Sequence, residues 1–267
     1  MKNLNKKLLA VLLSTSIIVT GVVGSSTTAD AKKKSAKSTK SNNIVVVLDA
    51  GHDSAHFGCH TDRFNEETAN LYIAYYCKQE LEKYNGVTVY MTRYGFECPY
   101  DLAEDNKADC LSNRVDFAKS VKADVLVSLH NDYDPDLDVT QNGSKIIVPN
   151  QNYKPDISNK GIALGQSILT QLTTTGLNIN DWKLCPNGTG IVTRDSSSST
   201  YPDGSAKDYY ALINKSKTAG FTCVIVEHGF CTNESDLTNH LSTPEQYQEL
   251  GIADATGIAN YYGLKLK

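Results

Sequence analysis

The 267-residue chain lacks the motifs of several common enzyme classes. It contains neither a glycine-rich P-loop nor a G-x-S-x-G elbow, so nothing indicates a phosphate-cradling loop or an α/β-hydrolase serine nucleophile. Tryptophan occurs once, and no internal repeat or second module is present. The chemistry of this chain therefore has to come from other residues.

The seven cysteines are too widely spaced to suggest a cysteine-rich metal site. No two of them form a C-x2–4-C pair, which argues against a cysteine zinc site. Their odd number leaves at least one cysteine unpaired, or paired between chains. Cys77 and Cys223 lie in apolar stretches and are predicted core residues. Cys98 and Cys110 could form a disulfide that closes the loop between them.

Basic residues are scarce in the body of the chain. The formal net charge is -4, and leaving out residues 1–43, with their eight lysines and one aspartate, leaves 18 basic and 29 acidic residues. An acidic body of this kind argues against nucleic acid as a partner.

The first residues are typical of a signal peptide. Residues 1–7 are basic, residues 8–23 are apolar, and Ala29-Asp30-Ala31 is an A-x-A cleavage site. We expect residues 1–31 to be a signal peptide, with cleavage after Ala31 and a secreted product.

The rest of the chain divides into a short linker and one domain. Residues 32–43 are rich in lysine and serine and bury too little apolar surface to fold, so a flexible linker is expected. Residues 44–267 are long enough to bury a core of their own. They contain no segment that could span a membrane, so we expect no integral span in the mature chain.

Valine- and isoleucine-rich strand patterns alternate with helical patterns from residue 44 onward. Several strands are almost continuously apolar, which is typical of strands covered on both faces. The alternation predicts an α/β fold: a single-domain, twisted, mostly parallel sheet with helices on both faces. The predicted strands are residues 44–48, 87–91, 125–129, 145–148, 190–193 and 222–226, and the predicted helices are residues 66–84, 111–121, 160–172, 208–219 and 243–262.

Three polar side chains stand at or just past the ends of predicted strands: His52, His130 and Glu227. In an open α/β sheet, side chains past the carboxyl ends of strands meet in one crevice, where ligands bind. Two imidazoles and a carboxylate suggest a metal site, most plausibly zinc. Glu227 follows a buried strand, so its partly desolvated carboxylate is the candidate for moving protons.

A third metal ligand could come from Glu66 or Glu67, which both lie in the first turn of a predicted helix. Glu66 shares a helical stripe with Asn70, Ile73 and Cys77, whereas the stripe of Glu67 is more mixed. This spacing favours Glu66.

Four motifs follow one another along the chain. They are Asp49-Ala50-Gly51-His52, Asn65-Glu66 with Asn70-Leu71, Ser128-Leu129-His130-Asn131, and Val226-Glu227-His228-Gly229-Phe230 with Asn233. In this order they resemble the zinc-dependent N-acetylmuramoyl-L-alanine amidases of the Amidase_3 family. The resemblance covers about residues 44–262.

The resemblance implies a six-stranded sheet, one Zn²⁺ per chain held by His52, Glu66 and His130, and Glu227 as the catalytic glutamate. The reaction would be hydrolysis of the amide between the lactyl group of N-acetylmuramic acid and L-alanine of the peptidoglycan stem peptide, in the cell wall. Two alternatives remain open: a zinc peptidase cutting within the stem peptide, and a non-catalytic wall-binding module. The sequence does not indicate the oligomeric state.

Two departures from the family pattern concern the surroundings of the site. Asp53 stands where relatives usually have glycine, and we interpret it as a loop residue rather than a partner of a ligand. An insertion separates Arg93 from Leu111 and puts substrate preference in doubt.

Several other polar residues have less certain roles. His56 and His60 are interpreted as surface or substrate-contacting residues, and His228 should point away from Glu227 by strand alternation. The remaining candidates are Trp182, for sugar stacking or loop packing; Arg194 and Asp195, for a stem-peptide carboxylate; and residues 196–199, for a flexible turn.

Overall fold

The structure is a computed structural model that describes residues 43–100, 107–134, 140–180 and 188–267. The strands in these ranges are β1 (Ile44–Ala50), β2 (His60–Thr61), β3 (Phe64–Asn65), β4 (Val87–Met91), β5 (Val125–Asp132), β6 (Lys145–Ile147), β7 (Ile191–Val192), β8 (Asp195–Thr200), β9 (Ala206–Asp208) and β10 (Thr222–Phe230). The α-helices are α1 (Glu66–Leu81), α2 (Lys107–Ser120), α3 (Pro155–Leu172), α4 (Ala211–Ala219), α5 (Glu234–His240) and α6 (Pro244–Tyr262).

Six of the strands form one sheet in the order β4-β1-β5-β10-β6-β7. Strand β1 runs parallel to β4 and β5, and β5 runs parallel to β10. Strand β6 is antiparallel to β10, and β7 is parallel to β6. The predicted six-stranded, mostly parallel α/β sheet is therefore confirmed.

Both faces of the sheet are covered, which explains the near-continuous apolar runs of its central strands. Val46 and Leu48 of β1 belong to a core cluster that includes residues of α1, α3 and α6. Val47 points the other way, into a second cluster with residues of α2 and α4. Cys77 and Cys223 are fully buried in these clusters, as predicted.

Two glycines let α6 pack closely against its neighbours. A Cβ atom at Gly251 would lie 2.6 Å from the carbonyl oxygen of Ile73 on α1. A Cβ atom at Gly257 would lie 2.5 Å from the Cα of Ile168 on α3. Neither distance is sterically possible without a shift of backbone, so both glycines fix the position of α6.

Two predictions of local structure were wrong, and one short helix was missed. Residues 196–199 lie in β8, which pairs with β9, rather than in a turn. Helix α4 begins at Ala211 and not at Asp208, because Asp208 is held in β9 by hydrogen bonds from the Tyr201 hydroxyl and the Asn150 amide. Helix α5 was not predicted, since seven residues are too few to show a helical period.

None of the helices in the described ranges combines the length and the apolar character that a membrane span requires. The expected signal peptide and nearly all of the expected linker lie outside the described residues.

Candidate active site

The carboxyl ends of β1, β5 and β10 lie side by side at one edge of the sheet. His52 follows β1 by two residues, while His130 and Glu227 lie near the ends of β5 and β10. Glu227 and His130 are direct partners in the register of these two parallel strands. The sheet therefore brings the three polar residues to one place, as the strand-end rule predicts.

His52, Glu66 and His130 form a compact cluster of possible metal ligands. One ligand atom from each lies within 4.8 Å of the others. Oε1 of Glu66 is 3.4 Å from Nε2 of His52 and 3.1 Å from Nδ1 of His130. Two nitrogens and a carboxylate oxygen are a donor set that suits zinc and leaves a coordination position open.

Glu66 and Glu67 face different partners, although both begin α1. The Glu67 carboxylate accepts a hydrogen bond from Nε2 of His60, at 2.7 Å, and so turns away from the cluster. Glu66 is held in place by the backbone amides of Cys59, at 2.7 Å, and Asn131, at 3.2 Å. The structure thus places Glu66, the residue that the helical spacing favours, beside both histidines.

The protonation states of the cluster suit metal binding. Burial alone would raise the pKa of Glu66, but the adjacent His130 and His52 side chains lower it well below its usual value. Burial lowers the pKa of His130 from its usual value, which favours the neutral imidazole. A carboxylate and a neutral imidazole are the forms that coordinate a metal.

His52 adopts a left-handed backbone conformation, with φ at 61°. Its Nδ1–H donates a hydrogen bond to the backbone carbonyl of His56, at 3.1 Å. This bond selects the tautomer in which Nε2 carries the lone pair, and Nε2 is the nitrogen that faces Glu66.

Two glycines make room for the cluster. A Cβ atom at Gly51 would lie 2.3 Å from the His130 ring, and one at Gly58 would lie 2.1 Å from Oε2 of Glu66. The Asp49-Ala50-Gly51-His52 motif therefore needs its glycine for close packing beside the His130 ring, and not for an unusual backbone angle.

Glu227 lines the same cavity as His52 and His130, a space of about 300 Å³. Burial raises its pKa well above the usual value, and the negative charges of Asp132 and Glu66 raise it further, while Lys145 partly offsets them. Such a carboxylate exchanges protons closer to neutral pH than an exposed glutamate does.

His228 points to the opposite face of the sheet from Glu227, as strand alternation predicts. Its ring is fully buried, with Nε2 2.9 Å from Oδ2 of Asp254 on α6. Its Nδ1–H donates to the backbone carbonyl of His130, at 2.8 Å. His228 therefore ties the strand that carries His130 to the helical layer behind it.

The loop that carries His52 rests on a buried arginine. Arg114 of α2 binds Asp49 at 2.6 Å, Asp53 at 2.9 Å and the carbonyl of His52 at 3.1 Å. Burial alone would raise the pKa of Asp49, but Arg114 and the hydroxyls of Ser128 and Thr92 lower it to about 2.

A model of the Amidase_3 family, described as N-acetylmuramoyl-L-alanine amidase, matches residues 46–260. The chain belongs to this family. The predicted activity is thereby confirmed: the protein is an N-acetylmuramoyl-L-alanine amidase, a hydrolase that acts on peptidoglycan. Zinc dependence is a general property of the family, and a cell-wall amidase works outside the cytoplasm.

Solved structures share the amidase fold. Cwp6 from Clostridium difficile is 22% identical with a TM-score of 0.62, and the match covers 82% of this chain and 29% of that chain. The CwlD amidase from Clostridioides difficile, solved with the GerS lipoprotein, is 19% identical with a TM-score of 0.61 and coverages of 83% and 99%. Ami1 from Mycobacterium smegmatis is 20% identical with a TM-score of 0.62 and coverages of 82% and 97%. No curated protein matches the chain.

The structure corrects two interpretations of residues near the amidase site. His56 is buried and not at the surface, and its Nδ1 lies 2.8 Å from Oδ1 of Asp53. It lines the cavity beside His52 and Glu227, so its prediction as a substrate-contacting residue stays open. Asp53 is not a simple loop residue, because it is fully buried and binds Arg114. His60 is exposed, as predicted. Asp53 is buried against Arg114 of α2, and no local sequence pattern reveals this contact.

The disulfide in the described part of the amidase joins Cys59 to Cys231. Cys98 and Cys110 are free in the structure, with sulfurs 3.7 Å apart, so the possible disulfide between them is not formed there. Nothing in the sequence indicated the observed pairing, since the two bonded cysteines are 172 residues apart.

The candidate substrate-binding residues lie on segments that border the cleft. The Arg194 guanidinium stacks on the Tyr209 ring, 3.7 Å from its centroid. Tyr210, the next residue, lines the cavity that Glu227 and His130 share. Trp182, the predicted sugar-stacking residue, lies outside the described residues.

Proposed function

We propose that His52, Glu66 and His130 hold one zinc ion, and that Glu227 is the residue that moves protons during amide hydrolysis. The observation that carries this proposal is the convergence of the three donors within 4.8 Å at the wall of a cavity that Glu227 also lines.

The chain's own residues divide the catalytic work. His52, Glu66 and His130 would hold the zinc ion, which would supply Lewis-acid chemistry for the scissile carbonyl and the attacking water. Glu227 takes the proton of this water at its carboxylate and passes it to the nitrogen of the departing L-alanine. Because Glu227 is desolvated and faces Asp132 and Glu66, it can hold that proton until the amide bond breaks.

The cleft has two connected parts that suit a glycan-peptide. The part behind the ligands, about 300 Å³, is lined by Leu111, Tyr210, Leu212 and Ile225 as well as polar residues. The other part, about 440 Å³, opens beside Phe57 and Tyr133. His52, His130 and Glu227 line both parts, so a bound chain that runs through them would pass the catalytic residues.

Substitution of single carboxylates tests the role of Glu227. Glu227→Gln should retain zinc and lose hydrolysis of purified peptidoglycan by a factor on the order of 10²–10⁴, the range for loss of a general base. Glu67→Gln is the matched control, because Glu67 is a neighbouring buried glutamate that binds His60 instead. Wild-type turnover by Glu227→Gln would refute the assignment.

The metal and the cleaved bond need separate measurements. His130→Ala should lose zinc, and full zinc occupancy in that variant would contradict the ligand set. Labelling the amino groups released from peptidoglycan fragments identifies the bond, since an amidase frees the amino terminus of L-alanine. A new amino terminus within the stem peptide would indicate a peptidase. Binding to peptidoglycan without release of any amino group would indicate a wall-binding module.

We also propose that the chain is exported by a signal peptide, residues 1–31, and that residues 32–43 link it to the catalytic domain, residues 44–267. The extracytoplasmic substrate and the basic and apolar residues 1–23 support this arrangement. Mass spectrometry of the exported protein should find Lys32 as its first residue.

A further inference from the structure

The two parts of the cleft differ in the side chains that line them. The part of about 440 Å³ has two large apolar side chains, Phe57 and Tyr133, both aromatic, and the rest of its wall is mainly polar. The part of about 300 Å³ is lined by the aliphatic residues Leu111, Leu212 and Ile225. The two parts therefore suit substrate groups of different chemistry.

Phe57 and Tyr133 present large rings to solvent at the wider part. Phe57 is 57% exposed and Tyr133 is 43% exposed. Single exposed apolar residues are common on protein surfaces and need no explanation. Two exposed aromatic rings in the polar wall of one cavity are instead typical of a ligand site.

The segment that carries Phe57 is anchored close to its ring. Two residues later, Cys59 is bonded to Cys231, and its amide donates to Oε2 of Glu66, at 2.7 Å. The His60 ring lies beside the Phe57 ring, with centroids 5.1 Å apart. A ring on an anchored segment loses little freedom when it binds a ligand, which favours binding.

Tyr133 is accompanied by a hydrogen-bond acceptor. Its amide donates to Oδ1 of Asp132, at 2.9 Å. The Asp132 side chain also lines the wider part of the cleft and is 19% exposed, so its carboxylate can accept a hydrogen bond from a hydroxyl group.

Aromatic rings beside hydrogen-bonding groups match the chemistry of a sugar. One face of a pyranose ring carries C–H groups, and these are attracted to the negative face of an aromatic ring. The hydroxyl groups at the edge of the sugar need hydrogen-bond partners. Aliphatic side chains supply neither interaction, so the part of about 300 Å³ is less suited to a sugar.

We propose that Phe57 and Tyr133 form a sugar-binding subsite, which seats the N-acetylmuramic acid ring whose lactyl amide is cleaved. This inference rests on the proposed function, because Glu66, His130 and Glu227 line the same part of the cleft. A sugar bound there places the lactyl group beside the proposed catalytic residues. L-Alanine and the stem peptide then extend toward the aliphatic part.

Binding of a peptide-free sugar tests the subsite without catalysis. The probe is the disaccharide of N-acetylglucosamine and N-acetylmuramic acid, titrated into the zinc-loaded protein in a calorimeter. Phe57→Ala and Tyr133→Ala should each weaken its binding by about fivefold to tenfold, because each removes a ring that the sugar covers. Phe57→Trp retains an aromatic face and should retain binding.

A matched phenylalanine supplies the control. Phe96 is also exposed, at 45%, but it lines neither part of the cleft, so Phe96→Ala should leave disaccharide binding unchanged. Zinc content and melting temperature of each variant show whether it is folded. The same affinity in wild type, Phe57→Ala and Tyr133→Ala would overturn the proposal, as would a wild type that does not bind the disaccharide.

Kinetics with two substrates show where the sugar contributes. One substrate is a disaccharide-peptide, and the other carries the same lactyl-L-alanyl peptide without a sugar. Phe57→Ala and Tyr133→Ala should lower kcat/KM about fivefold to tenfold for the first substrate only. An equal decrease for both substrates would contradict a sugar subsite. If the wild type frees L-alanine from neither substrate, the proposed function fails, while disaccharide binding still decides on the subsite.

Discussion

The disulfide between Cys59 and Cys231 connects the loop after β1 to the residue that follows β10. It therefore crosses the carboxyl edge of the sheet, next to the proposed ligands. The amide of Cys59 also donates to Oε2 of Glu66, at 2.7 Å. We expect the double variant Cys59→Ala/Cys231→Ala to lose stability and to bind zinc less tightly.

The size of the stability loss follows from the length of chain that the bond closes. Cross-linking residues 172 apart removes loop-closure entropy from the unfolded chain. This entropy corresponds to about 5 kcal/mol in the chain-entropy model, and measured losses for native disulfides are about 2–5 kcal/mol. Since about 1 kcal/mol shifts the melting temperature of a domain this size by roughly 2–4 °C, a loss of about 2–5 kcal/mol corresponds to a decrease of about 4–20 °C.

Thermal unfolding followed by circular dichroism measures this decrease, and dithiothreitol supplies the control. Reductant should lower the melting temperature of the wild type toward that of the double variant, and it should leave the double variant unchanged. Removing both cysteines avoids a new free thiol. A decrease below about 2 °C in the double variant would refute the loop-closure reasoning, because the model assigns nearly all of the effect to the unfolded chain.

Three further predictions concern single residues. Gly51→Ala should lower zinc affinity by at least about tenfold, because its Cβ would displace the His130 ring, and metal titration measures the loss. Lys217→Met should lower the free energy of unfolding by about 3–5 kcal/mol in urea, since it leaves the buried Asp208 carboxylate without its cation. The pKa of Asp49 is about 2 in the folded protein, below its usual value of 3.8. Ionised Asp49 therefore adds about 2 kcal/mol to the free energy of unfolding above pH 4, and this stabilisation should be lost as the pH falls toward 2.

Controls for these predictions come from the same chain. Gly95→Ala adds a Cβ that comes no closer than 3.4 Å to Glu97 and should not alter zinc affinity. Lys160 is an exposed lysine, so Lys160→Met should change stability by less than about 0.5 kcal/mol. If Asp49→Asn shows the same decline of stability between pH 4 and 2 as the wild type, Asp49 is not its source.

Local periodicity was enough to predict the sheet, because its central strands are buried on both faces. The strand at residues 87–91 was predicted with its observed bounds. Strands β5 and β10 continue past their predicted ends, because the polar residues that follow the apolar runs still pair: Glu227 is in register with His130. An apolar sequence pattern stops at the first polar residue, although the hydrogen bonds between strands continue beyond it. Polar site residues at the ends of strands are therefore easily predicted as loop residues.

No local sequence pattern predicted the contacts between segments that are distant along the chain. Asp53 and His56 look like polar loop residues, yet both are buried: Asp53 binds Arg114, 61 residues later, and His56 contacts Asp53. The pairing of Cys59 with Cys231 needs the fold to be known first. Position at the carboxyl ends of strands predicts which residues lie at the edge of the sheet. It does not predict which other residues contact and orient them. The positioning of His52 shows the consequence. The sequence locates this proposed ligand, but the hydrogen bond from its Nδ1 to the His56 carbonyl depends on a loop that packs against α2.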